Sequence, residues 1–257
     1  MEILNEKVSV IIPAKDEANS IGELIARVEA SLSDRNFEII VIDDGSKDST
    51  KEIASNSGVI TISHVKSLGK GAAMKTGASA ASGDILVFLD GDGAHKPEDI
   101  PNVLAPVLQN KADLVIGSRD FRGSRTLGSY LPRRITNELA SFVTSIIISF
   151  FLPLVTSFKY PIKWVTVEDA ECGFKVVSKE KWRKLNLVSQ GFEIESEIIY
   201  EAAKNRLTIH NAPISCNWDS KVSRLSIVRD GLKTIRLLFS KLIHDMSERQ
   251  SVQSKSK

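Results

Sequence analysis

The chain has 257 residues, a formal net charge of +2 and a hydrophobic fraction of 42%. This size suits one large domain with a core of ordinary size, and the near-neutral charge gives no reason to expect a nucleic acid partner. Because Cys172 and Cys216 are too few for a disulfide framework and residues 1–7 contain no long apolar run, we expect a reducing, cytoplasmic setting and no signal peptide.

The first half of the chain alternates strand-like and helix-like stretches. Apolar runs rich in β-branched residues predict buried parallel strands, and apolar residues at helical spacing predict helices between them. The predicted strands are 8–13, 37–42, 59–63, 84–89 and 113–117, and the predicted helices are 21–32, 46–57, 70–81 and one that begins at Pro97. This alternation indicates an α/β fold with a parallel sheet built from crossover connections.

The second half has longer helices and fewer strands. Helices are predicted at 131–158, 192–204 and 225–244, and strands at 173–178 and 207–216. We expect one domain over residues 1–246, followed by a polar, disordered tail over 247–257.

An uncharged apolar stretch, 142–158 (FVTSIIISFFLPLVTSF), lies within the helical region 131–160. It is barely long enough to span a bilayer, and Pro153 would break or kink a helix there. We predict helices that lie in the membrane interface, with a buried core helix and a true membrane span as the alternatives.

The helix predicted at 225–244 is amphipathic and basic, with Arg229, Lys233, Arg236 and Lys241 among its apolar residues. Such a helix is typical of a membrane surface or a docking face. A terminal helix that packs on the domain and exposes a basic side explains the same pattern.

Polar clusters follow four of the predicted strands. They are 13–17 (PAKDE), 43–50 (DDGSKDST), 90–95 (DGDGAH) and 118–119 (SR). In open parallel sheets ligands bind beyond the carboxyl ends of the strands, so we expect the four clusters to form a single site.

Asp90 and Asp92, one residue apart after a buried strand, can share a hard divalent cation. Mg²⁺ prefers one or two carboxylates together with substrate phosphates, and Mg²⁺ or Mn²⁺ there would neutralise a departing diphosphate. An isolated Asp-x-Asp is often only a surface turn, but the neighbouring clusters favour a metal site.

Two further motifs suit a nucleotide. In 43–46 (DDGS) one carboxylate can accept a hydrogen bond from a nucleobase, although the same residues also suit a turn and helix cap. Lys70 stands between Gly69 and Gly71 at a helix start, where phosphate or base contact is favourable. This is not a Walker A motif, because the long glycine spacing and the Lys-Ser/Thr ending are absent.

Taken together, the runs VSVIIPAKDE, EIIVIDDGSKDST, GKGAAMKTG, GDILVFLDGDGAHKPEDI and DLVIGSR resemble the inverting glycosyltransferases of family two. The later runs VEDAECGFKVVSKE, FEIESEIIYEA and NWDSKVSRLS are similar to the dolichyl-phosphate sugar synthases, of the mannosyl and especially the glucosyl branch. The resemblance extends from Val8 to about Leu238. It implies a GT-A fold with a mostly parallel central sheet flanked by helices.

The resemblance also implies roles for individual residues. Those implied at the nucleotide are Pro13, Glu17, Asp44, Lys70, Asp90 and Gly91. Asp90 and Asp92 are implied at the metal, and those implied at the acceptor phosphate are Arg119, Arg133, Arg134, Lys221 and Arg224. The residues implied in catalysis are Asp90, Asp92, Arg119 and Asp169.

Four features depart from the family pattern. One is the basic residue usual before the late Ser-Lys/Arg-Leu pattern, for which Lys221 is the nearest candidate, and the other three are substitutions. Lys15 stands where an aromatic residue is usual, Ala94 where glutamine is frequent, and Ser67 where asparagine is common. The lysine puts base stacking in doubt, and the alanine removes one potential metal contact.

The resemblance implies transfer of a sugar from a UDP-glucose or GDP-mannose type donor to a polyprenyl or dolichyl phosphate, with inversion. The protein would associate peripherally with the cytoplasmic face of a membrane. One alternative is a sugar hydroxyl acceptor, which needs a general base from among Asp169, Glu171, Glu193 and Glu195. A second alternative is a nucleotide-binding protein without catalysis.

Overall fold

A seven-stranded sheet flanked by helices forms the centre of the protein in the computed structural model, which describes residues 6–119, 131–152, 166–216 and 227–255. The strands are β1 (Val8–Ala14), β2 (Phe37–Asp43), β3 (Ile60–Ser63), β4 (Ile85–Phe88), β5 (Leu114–Arg119), β6 (Lys175–Ser178) and β7 (Ile209–Ile214). The helices are α1 (Ile21–Ser31), α2 (Thr50–Asn56), α3 (Lys70–Ala80), α4 (Ile100–Leu108), α5 (Leu131–Ile146), α6 (Lys179–Trp182), α7 (Ile194–Lys204) and α8 (Ile227–Lys255).

The strands lie in the order β3-β2-β1-β4-β6-β5-β7. All neighbouring pairs are parallel except those of β6, which is antiparallel to both β4 and β5. The predicted mostly parallel sheet is therefore confirmed, with β6 as the exception. Because β1, β2, β4 and β5 run in one direction, their carboxyl ends share one edge of the sheet.

Helix α3 packs very closely on the sheet. A side chain at Gly77 would bring its Cβ to 2.3 Å from Ile11 Cγ2, so only glycine permits this approach. Ile11 is itself fully buried in the centre of β1. The close packing fixes the position of α3, whose first residue, Lys70, reaches the edge where the strands end.

Two serine residues of α5 form hydrogen bonds to a neighbouring segment of the chain. Ser141 Oγ accepts a hydrogen bond from Ala170 N at 2.9 Å, and Ser145 Oγ accepts one from Val167 N at 3.0 Å. These buried hydroxyls attach α5 to the segment that contains Asp169.

The π-helical segment Ile147–Phe151 continues α5, and it has a buried side and an exposed side. Ile147 and Ile148 are buried, whereas Phe142, Phe150 and Phe151 are exposed. Within the described residues, none of the helices combines the length and the apolar character that a membrane crossing requires. Residues 153–160 of the predicted interfacial region lie outside the described residues.

Helix α8 packs on α7 through both apolar and charged contacts. Leu238 and Leu242 are buried, and Lys241 lies 2.9 Å from Glu197 and 2.7 Å from Glu201. We call its exposed apolar residues the outer stripe of α8, which consists of Leu232, Ile235, Phe239, Ile243 and Met246.

The structure continues α8 to Lys255, where the sequence analysis predicted a disordered tail from Ser247. The physical reason is that residues 247–255 (SERQSVQSK) contain neither proline nor glycine, so a polar composition alone does not end the helix.

Candidate active site

The polar clusters after β1 and β4 lie against each other. A Cβ on Gly91 would be 3.0 Å from Pro13 O and 3.1 Å from Ala14 Cβ, so this glycine packs directly on the end of β1. Ser20 Oγ donates to Gly91 O at 2.9 Å and lies 3.4 Å from a carboxylate oxygen of Glu17. The structure thus brings together Pro13, Glu17 and Gly91, as the sequence analysis expected.

Asp44 organises the loop that leads into α3. Its carboxylate lies 2.7 Å from His64 Nδ1 and accepts hydrogen bonds from Ser67 Oγ (2.7 Å), Leu68 N (2.8 Å) and Gly69 N (2.9 Å). Burial opposes ionisation, but these donors hold the pKa of Asp44 below its usual range. A carboxylate offers about four acceptor positions, so contact with a base would require one of these partners to move.

Lys70 connects Asp90 with a carboxylate from the second half of the chain. Its Nζ lies 2.5 Å from Asp90 Oδ1 and 2.7 Å from Glu195 Oε1. Burial disfavours the charged carboxylate, yet the Lys70 ammonium outweighs this effect and holds the pKa of Asp90 below its usual range. Asp90 is therefore ionised and already paired with a cation.

The surroundings of Asp92 differ from those of Asp90. Its Oδ1 accepts a hydrogen bond from Ala94 N at 2.9 Å, and among the described residues no cation lies within ion-pairing distance of it. No group of three or more His, Cys, Asp or Glu side chains arranged to hold a metal is found in the described parts of the chain. Two carboxylates nevertheless fit Mg²⁺ or Mn²⁺, which keep water and substrate phosphates as their other ligands.

Arg119, the last residue of β5, forms a bidentate ion pair with Asp169. Nε lies 2.5 Å from Oδ2, and Nη2 lies 2.7 Å from Oδ1. Asp169 is completely buried, whereas the Arg119 side chain is 20% exposed. Burial opposes the charge on Arg119, but Asp169 holds its pKa well above the usual value. The predicted catalytic residue Asp169 thus contacts Arg119 and has no surface open to solvent.

His95 lies where the charged groups converge. Burial lowers its pKa, and the charges of Asp90, Arg119, Asp92 and Lys70 all act on the ring in one direction or the other. Its Nε2 lies 3.7 Å from Cys172 Sγ. The carboxylates after β4 and the guanidinium at the end of β5 therefore lie within electrostatic range of one side chain.

Residues of the second half also reach the site, and two of them, Glu171 and Glu195, were candidates for a general base. A Cβ on Gly173 would lie 2.2 Å from an oxygen of Asp90, so the Asp90 carboxylate rests against this glycine. Buried Lys175 contacts Glu195 Oε2 and Cys172 O. Burial, with help from the Glu195 charge, raises the pKa of Glu171 to about 6. For Gly173 and Lys175 the only sequence signal was their place in the run VEDAECGFKVVSKE.

For four of the residues implied at the acceptor phosphate, the structure does not describe the position of the side chain. Arg133 and Arg134 belong to the first turn of α5, of whose side chains the structure gives no description, and Lys221 and Arg224 lie outside the described residues. Their roles stay predictions, as do those of the residues whose positions are given above.

The GT-A fold is evident from comparison with solved structures. The glucosyl-3-phosphoglycerate synthase of Mycobacterium tuberculosis, in complex with Mn²⁺, uridine diphosphate and glucosyl-3-phosphoglycerate, matches with a TM-score of 0.67 over 94% of this chain and 80% of that one. The two sequences are 23% identical, so the likeness shows the fold alone.

Sequence relatives and a family model agree with this fold. The dolichol-phosphate mannosyltransferase of Pyrococcus furiosus is 32% identical over 205 residues, which are 78% of this chain but only 54% of that protein. The UDP-N-acetylglucosamine–dolichyl-phosphate N-acetylglucosaminyltransferase of Methanococcus voltae is 29% identical over 258 residues, covering 91% of this chain and 95% of that protein. The model of glycosyl transferase family 2 matches residues 9–184, more than half of the chain, which therefore belongs to that family of glycosyltransferases.

Proposed function

We propose that the protein transfers a sugar, with inversion, from a nucleotide-sugar donor of the UDP-glucose or GDP-mannose type to a polyprenyl phosphate such as dolichyl phosphate. The observation that carries the proposal is that Arg119, held by Asp169, and the carboxylates of Asp90 and Asp92 all lie within electrostatic range of the buried His95. The names of the Pyrococcus and Methanococcus relatives, which refer to dolichol or dolichyl phosphate, support the choice of acceptor.

Asp90 and Asp92 would hold Mg²⁺ or Mn²⁺. When bound, such an ion supplies charge stabilisation to the departing nucleoside diphosphate. Lys70 lies beside Asp90 and is suited to contact the diphosphate as well. Pro13, Glu17 and Gly91 form the part of the edge where the nucleotide would lie.

Arg119 would position the acceptor phosphate. A guanidinium suits a phosphate because it donates several hydrogen bonds in a fixed plane, and Asp169 fixes the direction of that plane. A phosphate oxygen then attacks the anomeric carbon while the bond to the donor diphosphate breaks. Since this oxygen is already anionic near neutral pH, Asp169 need not accept a proton, and its burial in an ion pair is compatible with the reaction.

A membrane surface is the partner that a polyprenyl acceptor requires. Two described surfaces suit it: the exposed residues Phe142, Phe150 and Phe151, and the outer stripe of α8. Exposed apolar side chains gathered on helix faces, with the basic residues Lys233 and Arg236 nearby on α8, are typical of peripheral membrane binding. We propose peripheral association at the cytoplasmic face.

A second candidate acceptor is a sugar hydroxyl. One observation favours it, because Glu171 lies in the site with a pKa of about 6 and could accept a proton at neutral pH. Asp169 and Glu195, the other candidates buried here, are engaged in ion pairs. Loss of transfer in Glu171→Gln, with sugar found on a water-soluble acceptor, would support this alternative.

The direct test is incubation with labelled UDP-glucose or GDP-mannose, Mn²⁺ and dolichyl phosphate in detergent. We expect label to enter the lipid extract, and Asp92→Asn to reduce this transfer by about 10²-fold or more, because stabilisation of the leaving group is lost. Asp34→Asn, at an exposed aspartate outside the site, is the matched control. Absence of label from the lipid extract with both donors would contradict the proposed acceptor.

A further inference from the structure

The start of α3 is fixed against the segment that leads into α7. A Cβ on Gly69 would lie 2.4 Å from Gln190 O, and a Cβ on Gly71 would lie 2.7 Å from Ser189 O. Ala72 N also donates to Gln190 O at 3.2 Å. The two glycines that flank Lys70 therefore allow the first turn of α3 to rest on backbone, and this contact brings Lys70 to Glu195.

Lys70 needs carboxylates at this position. The N-terminus of a helix carries partial positive charge, so an ammonium there is disfavoured unless anions compensate it. Asp90 and Glu195 supply this compensation at 2.5 Å and 2.7 Å from Nζ. The ammonium is shared between two carboxylates, and it can leave one of them while it keeps the other.

The two carboxylates differ in how firmly they are held. Glu195 is 1% exposed, and its second oxygen contacts Lys175, which is fully buried and also bonded to Cys172 O. The Asp90 side chain is 27% exposed. Glu195 is thus the fixed partner of Lys70, and Asp90 is the partner that faces the open side of the site.

We propose that Glu195 is a positioning residue: it retains the Lys70 ammonium when a divalent ion takes the place of that ammonium at Asp90. In the metal-free protein Lys70 neutralises Asp90, and on metal binding the same ammonium stays at Glu195, beside the donor diphosphate. This inference rests on the metal site at Asp90 and Asp92 in the proposed function. Glu195 would act through Lys70 and would not need to contact the substrate.

The test is the affinity of the full chain for Mn²⁺ alone, measured by electron paramagnetic resonance of free Mn²⁺ without nucleotide. We expect Lys70→Met to bind Mn²⁺ about tenfold more tightly, because repulsion between the ammonium and the divalent ion is only partly screened at a site this buried. Lys51→Met, which removes an exposed lysine of α2, should leave the affinity unchanged.

Glu195→Gln alone would leave Lys175 buried without its carboxylate and could prevent folding. The informative variant is therefore Lys175→Met combined with Glu195→Gln, with its fold checked by circular dichroism. Here Lys70 has only Asp90 as a partner, so we expect Mn²⁺ binding to weaken by about tenfold. Adding Lys70→Met to this pair should restore the affinity of the Lys70→Met single variant, since Glu195 acts through Lys70.

Several outcomes would overturn the inference. Equal Mn²⁺ affinity in wild type and Lys70→Met would show that the ammonium does not compete at Asp90. A triple variant that stays weak would show that Glu195 acts on the ion without Lys70. If wild type and Asp92→Asn both fail to bind Mn²⁺, the proposed metal site fails together with this inference. Asp92-dependent binding that the Lys70 and Glu195 variants leave unchanged contradicts the inference alone.

Discussion

Arg119 and Asp169 form a bidentate ion pair in which the carboxylate is completely buried and the guanidinium is partly exposed. The backbone N–H of Arg119 also lies 3.3 Å from the same carboxylate. The pair joins the end of β5 to the segment held by Ser141 and Ser145 of α5. An arginine held in this way has a fixed orientation.

Asp169→Asn should destabilise the protein and weaken acceptor binding together. Removing one partner of a buried ion pair costs about 3–5 kcal/mol, and Arg119 would lose the group that orients it. Urea unfolding measures the first effect, and the KM for dolichyl phosphate measures the second. Arg119→Lys is the companion variant, because it keeps the charge but loses the planar fork. A KM that Arg119→Lys leaves unchanged would contradict a phosphate role for Arg119.

The raised pKa of Glu171 predicts that the free energy of unfolding depends on pH. Its pKa in the folded protein is about 6, above the ordinary value of 4.5, so the folded state binds the proton more tightly than the unfolded state. The stabilisation that this tighter proton binding gives is fully present below pH 4.5 and is lost as the pH rises through 6. The free energy of unfolding changes by about 2 kcal/mol in total.

Glu171→Gln should remove this pH-dependent part of the free energy of unfolding. Urea unfolding of wild type and variant at pH 4.5, 5.5 and 6.5 would show wild type losing stability relative to the variant across the series. A difference that stays constant with pH would show that Glu171 titrates alike in the folded and unfolded states.

Gly173→Ala should disturb Asp90 more than it disturbs the fold. The added methyl would lie 2.2 Å from a carboxylate oxygen of Asp90, so this carboxylate, which pairs with Lys70, must shift. We expect a loss of about 1–3 kcal/mol in the free energy of unfolding from overpacking, and a weaker response of thermal stability to added Mn²⁺. Gly231→Ala, in α8 with no heavy atom within 4 Å of the new Cβ, is the control and should be neutral or slightly stabilising.

The outer stripe of α8 can be tested with vesicles. Phe239→Glu combined with Ile243→Glu should reduce co-sedimentation with anionic vesicles by about tenfold or more, because burial of one large apolar side chain is worth about 1.5–3 kcal/mol. Ser240→Glu adds a charge at an exposed position of the same helix outside the stripe and serves as the control. Equal loss in both variants would indicate a general effect of charge and would contradict binding through the stripe.

The meeting of the polar clusters after β1, β2 and β4 at one edge of the sheet was predictable from the sequence, because it depends on local signals. Apolar runs mark the parallel strands, and in such a sheet the polar residues after each strand must meet at one edge. The exact helix boundaries within these clusters were harder to predict. Helix α2 begins at Thr50 and not at Ser46, because Asp43 bonds Ser46 N and Asp48 bonds Thr50 N, which keeps the intervening residues in a turn.

The contacts between the two halves of the chain were not predictable in the same way. The short run of β6 carries no indication of its direction or its neighbours, so its antiparallel insertion between β4 and β5 had no sequence signal. Lys70 and Glu195 meet only because α3 packs on the segment before α7. Such pairs depend on tertiary packing, which periodicity does not encode.

The position of β6 also has a consequence for dissecting the protein. A fragment that ends after β5 would keep every strand of the predicted nucleotide-binding half, but β4 and β5 would lose the strand that separates them. Two interior strands would then present unpaired backbone groups, which invite aggregation. The two halves of the chain therefore share one sheet and cannot be separated as modules, so a change of acceptor preference has to be made by replacing residues in place.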